Sequence, residues 1–101
     1  MRKITKDAVH AFLNRKPFSR SNTKVKVLEE GVCALLLHNN TIAILNTDGR
    51  LTVTNAGWSS NVTKERLNGL PGVGVYQKNY EWYLNGSPWD GRWITLDKEI
   101  L

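Results

Sequence analysis

All four tryptophans of this chain fall within residues 57–96, the stretch most densely punctuated by turn-forming residues. Gly57-Trp58 and the polar run Ser59-Ser60-Asn61 lead into residues 63–68, which read as a short helix capped by Asn61 or Thr63. Leu67 and Val62 would anchor that helix inward, leaving Lys64, Glu65 and Arg66 in solvent. Gly69 suits the left-handed position after the last turn, and Pro71 prevents continuation. Three strands are then expected, at 73–78, 81–84 and 91–96. Asn85-Gly86 is a tight-turn signal, and Pro88, Asp90 and Gly91 widen the second connection. The stretch thus reads as a short helix followed by a three-stranded meander.

Upstream, residues 4–14 have helical spacing. At about 100° per residue, Ile4, Ala8, Ala11 and Phe12 share one face, broadened by Val9 and Leu13, while Lys3, Lys6, His10 and Asn14 share the other. Thr5 or Asp7 would sit near the helix start. Residues 15–22 read as a basic loop around Pro17. Strand patterns follow. Residues 23–29 place Val25 and Val27 opposite Lys24, Lys26 and Leu28. Residues 32–37 and 41–45 are apolar on both faces, as central strands are, with a turn at His38-Asn39-Asn40. After Thr47-Asp48-Gly49-Arg50, Leu51 and Val53 point inward. The expected core includes Cys33, Leu35, Leu37, Ile42 and Ile44.

These patterns predict an α+β fold: an antiparallel sheet of about six or seven strands in two meanders, with an N-terminal helix and a short helix between the meanders. At 101 residues the chain is one domain, organised as 1–22, 23–56 and 57–97. It has no apolar run of transmembrane length, and its N-terminus lacks the apolar core of a secretory signal.

Charge is uneven along the chain. Residues 1–26 carry eight basic groups against Asp7 alone, a local charge of +7, whereas the rest of the chain sums to −2. That asymmetry points to a polyanionic partner, either nucleic acid or an acidic protein surface. Lys3, Lys6, Arg15, Lys16, Arg20, Lys24 and Lys26 are the candidate phosphate contacts. Alternation in the meander groups Tyr76 with Lys78 and sets Tyr83 opposite Trp82 and Leu84. If one face stays open, Tyr76, Lys78, Tyr83 and Arg92 supply the rings and cations that single-stranded nucleic acid favours.

Catalytic chemistry finds little support. Cys33 lies in the apolar run VCALLL and reads as a buried small hydrophobe, and His10 and His38 have no second ligand at metal spacing. The glycines of GLPGVG match neither phosphate-binding fingerprint. Two carboxylates that meet in space, for instance Glu65 and Glu81, would be needed for glycosidase-type work. No cofactor or metal is expected, and the chain reads as non-enzymatic.

The strings GW, TKERLNGLPGV, QK, WYLNG and GRW, in that order, resemble a group of small uncharacterised proteins encoded by tailed bacteriophages. The likeness covers residues 22–96 and is densest at 57–93, so the N-terminal helix falls outside its clearest part. It brings no activity, fold or site residues. It implies expression in the cytoplasm of an infected bacterium and the role of an accessory protein that binds host or phage components. Two functions stay open: nucleic-acid binding, and a protein-binding inhibitor or adaptor acting on a host enzyme or defence complex. A sponge for a small nucleotide signal is a third.

Overall fold

A computed structural model describes residues 1–58 and 60–99. Ser59, from the polar run ahead of the short helix, lies outside the described residues, as do residues 100 and 101. The chain forms helix α1 (Lys3–Leu13), strands β1 (Phe18–Arg20), β2 (Thr23–Val27), β3 (Cys33–Leu37), β4 (Asn40–Leu45) and β5 (Arg50–Val53), helix α2 (Asn61–Asn68), and strands β6 (Val75–Lys78), β7 (Glu81–Leu84), β8 (Ser87–Pro88) and β9 (Ile94–Glu99). All strand pairs are antiparallel. They form a six-stranded sheet ordered β1-β2-β3-β4-β5-β9 and a three-stranded sheet ordered β6-β7-β8. The α+β architecture with two meanders and two helices is therefore as the sequence patterns predict.

The core follows from register. Val25, Leu35, Ala43 and Val53 stand opposite one another across β2 to β5, next to the row Cys33, Leu45 and Leu51. Against this face pack Ala8, Val9, Ala11 and Phe12 of α1, together with Leu67, Leu70, Trp82, Leu84 and Trp89 from the second half of the chain. A bulge between Leu35 and Leu36 leaves Ile42 without a partner on β3, yet Ile42 is buried. Ile44, expected in the core, is only half-buried, because it aligns with Ala34 and Lys26 on the sheet face turned away from α1. Val27 is 40% exposed at the strand end. Cys33 is fully buried and burial pushes its thiol pKa up, as for an inert core residue.

Several local expectations are corrected. Residues 18–20 are not loop but a short edge strand, paired with β2. The helix cap is Ser60, whose Oγ accepts the Thr63 N–H at 3.1 Å. Gly69 is right-handed (φ −73°), and its need for glycine is steric. A Cβ there would lie 2.5 Å from Thr5 Cγ2, so α2 ends hard against α1. The largest change concerns the C-terminal strand, read as the third strand of the aromatic meander. That place is taken by β8, and residues 94–99 instead join β5 at the edge of the larger sheet. The switch occurs at Gly91 (φ +89°), whose carbonyl accepts the Asn55 N–H at 3.1 Å and the Thr54 hydroxyl at 2.5 Å.

Arg66, expected in solvent, is the largest fully buried side chain, at 1% exposure. It shares the inward stripe of α2 with Thr63 and Leu67. Its Nε donates to Thr23 Oγ1 (3.0 Å) on β2 and its Nη1 to Thr5 Oγ1 (2.8 Å) on α1, with Nη2 3.4 Å from Asn22 Oδ1 and an ion pair to Glu65. Burial works to raise the Glu65 carboxyl. Hydrogen bonds from Thr5 Oγ1 and the Arg2 N–H, with the Arg66 charge, outweigh it and hold the carboxyl below its ordinary range.

Three outcomes follow for urea unfolding. Leu35→Ala, at a site 1% exposed, should cost about 2 to 5 kcal/mol. Arg66→Met, which takes the paired cation from the Glu65 carboxylate and the buried donors from Thr5 Oγ1 and Thr23 Oγ1, should cost about 3 to 5 kcal/mol. Because the folded pKa of Glu65 is depressed, its stabilisation is complete above the unfolded value of about 4.3 and is lost as pH falls through the folded value. Stability measured from about pH 6 down to pH 3 should drop more steeply in the native protein than in Glu65→Gln.

Candidate functional site

The β6–β7 hairpin sorts its side chains cleanly by alternation. Val75, Trp82 and Leu84 go inward, where Trp82 meets Trp89 at 6.1 Å between ring centroids. Tyr76, Lys78, Glu81 and Tyr83 go outward, joined by Pro88 opposite Tyr83. The Tyr76 and Tyr83 rings are stacked across the strands, 5.2 Å apart and within 8° of parallel. Tyr76 is 45% exposed, so the ring face turned from Tyr83 is open to a ligand.

Only Asn79 and Tyr80 separate the two strands, and both have positive φ (52° and 68°), as a two-residue hairpin turn of this handedness demands. Glycine or asparagine is the comfortable choice there; a tyrosine in that region is strained by about 1 to 2 kcal/mol. Tyr80 is nevertheless 96% exposed, without packing to offset the strain. Sequence reasoning overlooked it. The signal was available in the two-residue spacing between the strands, which fixes the turn type and makes a bulky residue there anomalous.

Helix α2 supplies the other wall. Lys64 sits with its ammonium 5.4 Å from the Trp82 ring centroid and 3.3 Å from Gln77 Oε1. Between α2 and the hairpin lies a groove of about 730 Å³ lined by Lys64, Val75, Tyr76, Gln77, Asn79 and Tyr80. A second groove, of about 450 Å³, is lined by Met1, Asn61, Lys64, Glu65 and Asn68. Lys64 belongs to both. The aromatic hairpin therefore opens, past one lysine, onto a groove that Met1 at the chain start shares with Asn61, Glu65 and Asn68.

The other basic candidates are dispersed. Lys3 is exposed, 3.6 Å from Asp7, and Lys6 and Lys16 are exposed. Arg20 pairs with Asp7 at 2.7 Å and lies over the Phe18 ring; that pairing with Arg20, aided by Lys3, lowers the Asp7 pKa. Arg15 is committed to the fold, donating to the carbonyls of Gly31 (3.0 Å) and Asn46 (3.2 Å). Lys24 and Lys26 alternate with Val25 and so occupy the sheet face opposite α1, with Lys24 bonded to Asn39. Arg92 is not on the hairpin face: it precedes β9 in an exposed loop, 2.8 Å from Asp90. Residues 1–97 match the family described as Kyanoviridae Gp96 protein. The chain belongs to that family. The match takes in α1, which the recognisable strings had left outside, and the hairpin together. No curated protein and no solved structure matches the chain.

Two further features bear on chemistry. Among the described residues no three of His, Cys, Asp and Glu are grouped to hold a metal ion, and no helix is long and apolar enough to cross a membrane. The Glu65 carboxyl is tied up by Thr5 and Arg66 and has a lowered pKa, the reverse of the raised one a general acid needs. Away from the hairpin, Trp58, Trp93 and Ile94 are 61%, 49% and 43% exposed.

Proposed function

We propose that this phage protein is a non-enzymatic binder of single-stranded nucleic acid, with the β6–β7 hairpin as the base-stacking element and α2 with the start of α1 as the phosphate track. The observation that carries the reading is the sharing of Lys64 between the two grooves, which joins the exposed Tyr76 and Tyr80 to a lysine and, through it, to the chain start at Met1. Bases stack on tyrosine whatever their sequence, while lysine and arginine hold the backbone. The exposed Trp58, Trp93 and Ile94 favour a second reading, protein docking, since tryptophan is enriched among the residues that carry interface energy. Its partner would be a host enzyme or defence complex.

Fluorescence anisotropy with labelled oligonucleotides over a salt series tests the first reading. Tyr80→Gly should weaken single-strand binding by about 1 to 3 kcal/mol with an unchanged salt slope. The same change should raise folding stability by about 0.5 to 1 kcal/mol, since glycine relieves the turn. Lys64→Ala and Lys3→Ala should each flatten the log–log salt slope by about 0.7. Lys26→Ala, on the opposite face, should leave that slope unchanged. Micromolar protein that shifts no single strand at low salt would overturn the reading in favour of protein docking.

A further inference from the structure

The free edge of β6 carries an unused recognition element. In the register of the hairpin, Tyr76 and Lys78 exchange backbone hydrogen bonds with β7, so the N–H and C=O of Val75 and Gln77 point away from it. At Val75 both are satisfied by one side chain: Asn68 Nδ2 donates to the Val75 carbonyl at 2.9 Å, and Asn68 Oδ1 accepts the Val75 N–H at 2.6 Å. The Asn68 amide thus imitates a neighbouring strand for one residue. Two positions on, the Gln77 N–H and C=O have no partner among the described residues, and they open into the groove lined by Lys64, Tyr76 and Tyr80.

The length of this edge decides what fits it. Strand addition needs a run of alternating donors and acceptors. Here Asn68 closes one end and the Asn79–Tyr80 turn closes the other, which leaves a single donor–acceptor pair. A single pair matches the edge of one nucleobase, where a ring N–H or amino group stands beside a carbonyl or ring nitrogen. The neighbours match as well: Lys64 for phosphate or the ring face, and the rings of Tyr76 and Tyr80 for stacking. Resting on the proposed single-strand binding, we infer that the Gln77 backbone amide and carbonyl hydrogen-bond the pairing edge of one unpaired nucleobase seated between α2 and the hairpin tip. The site then reads a base edge in addition to stacking, and requires that edge to be unpaired.

The test uses the full chain and two probes, an oligothymidylate and the same oligomer with N3-methylthymine, which keeps the ring but loses the N3–H donor. Native protein should bind the methylated strand about five- to tenfold more weakly, the range for one lost hydrogen bond. Gln77→Pro removes the outward N–H without breaking a ladder bond, since that group faces away from β7. It should weaken binding to the unmodified strand about five- to tenfold, whereas Lys26→Ala, on the opposite sheet face, should stay within about twofold of native. The Gln77 amide resonance should move when the unmodified strand is added. Failure of every oligonucleotide to bind overturns the functional reading itself. Tight binding that ignores both the methyl group and the proline overturns this inference alone, leaving a purely stacking surface. An unmoved Gln77 resonance in a protein that does bind the strand also overturns it.

Discussion

The buried guanidinium of Arg66 is the contact on which the arrangement of the second half of the chain depends. A helix of eight residues is too short to persist on its own intrinsic propensity. Its position therefore comes from what it buries, and Arg66 reaches from its centre to α1 through Thr5 and to β2 through Thr23 and Asn22. Moving an ion of this size out of water costs several kcal/mol unless its donors are matched by good acceptors. Here three oxygens and the Glu65 carboxylate match them, and among the described residues no buried side-chain polar atom lacks a partner. With that stripe inward, Lys64 and Asn68, one turn apart, are turned to the hairpin. One sets the cation beside Gln77, and the other clamps Val75. The candidate site is thus the outer consequence of an inner ion pair.

What the sequence made legible was local. Alternation and short turns locate β2 to β7 and both helices, because each hairpin pairs neighbours in the chain and needs nothing distant. The same logic misassigned residues 91–99. Alternation says which side chains share a face but not which strand lies alongside, and the destination of β9 is set at Gly91 by partners 36 and 37 residues upstream. Arg66 was hidden for a different reason. Its charge argued for solvent, although Thr63, Arg66, Leu67 and Leu70 fall at the i, i+3, i+4, i+7 spacing of a buried stripe. Spacing was the better guide, since a buried arginine is permitted once its acceptors converge from other elements, and that convergence is invisible in one dimension.

The basic first quarter of the chain is likewise less of a unit in space than in sequence. Screening acts over about 8 Å at physiological salt, and the molecule measures 21 Å through its thinnest dimension. Charges on the outer face of the large sheet, Lys24 and Lys26, are therefore screened from the groove beside Lys64. Arg15 has exchanged solvent for two backbone carbonyls, and Arg20 neutralises Asp7. Of the first-quarter residues, Arg2, Lys3, Lys6 and Lys16 remain exposed, and Lys3 shares Asp7 with Arg20. The rest of the basic charge speeds encounter with any polyanion without choosing where it docks.

Strain and rigidity are placed on opposite ends of the same hairpin. Its base is over-determined: Asn68 holds Val75, Asn85 Oδ1 accepts the Gly74 N–H at 2.7 Å, Asn85 Nδ2 donates to the Gly72 carbonyl at 3.0 Å, and Trp82 is buried against Trp89. Its tip carries a fully exposed tyrosine in a conformation that suits glycine. A residue that touches nothing cannot be selected for packing, and one that strains its own turn is not selected for stability. What it can offer is its open ring, the premise of the proposed stacking. The clamped base is what lets such a residue persist, because the strain at the tip has no softer hydrogen bonds behind it through which to relax.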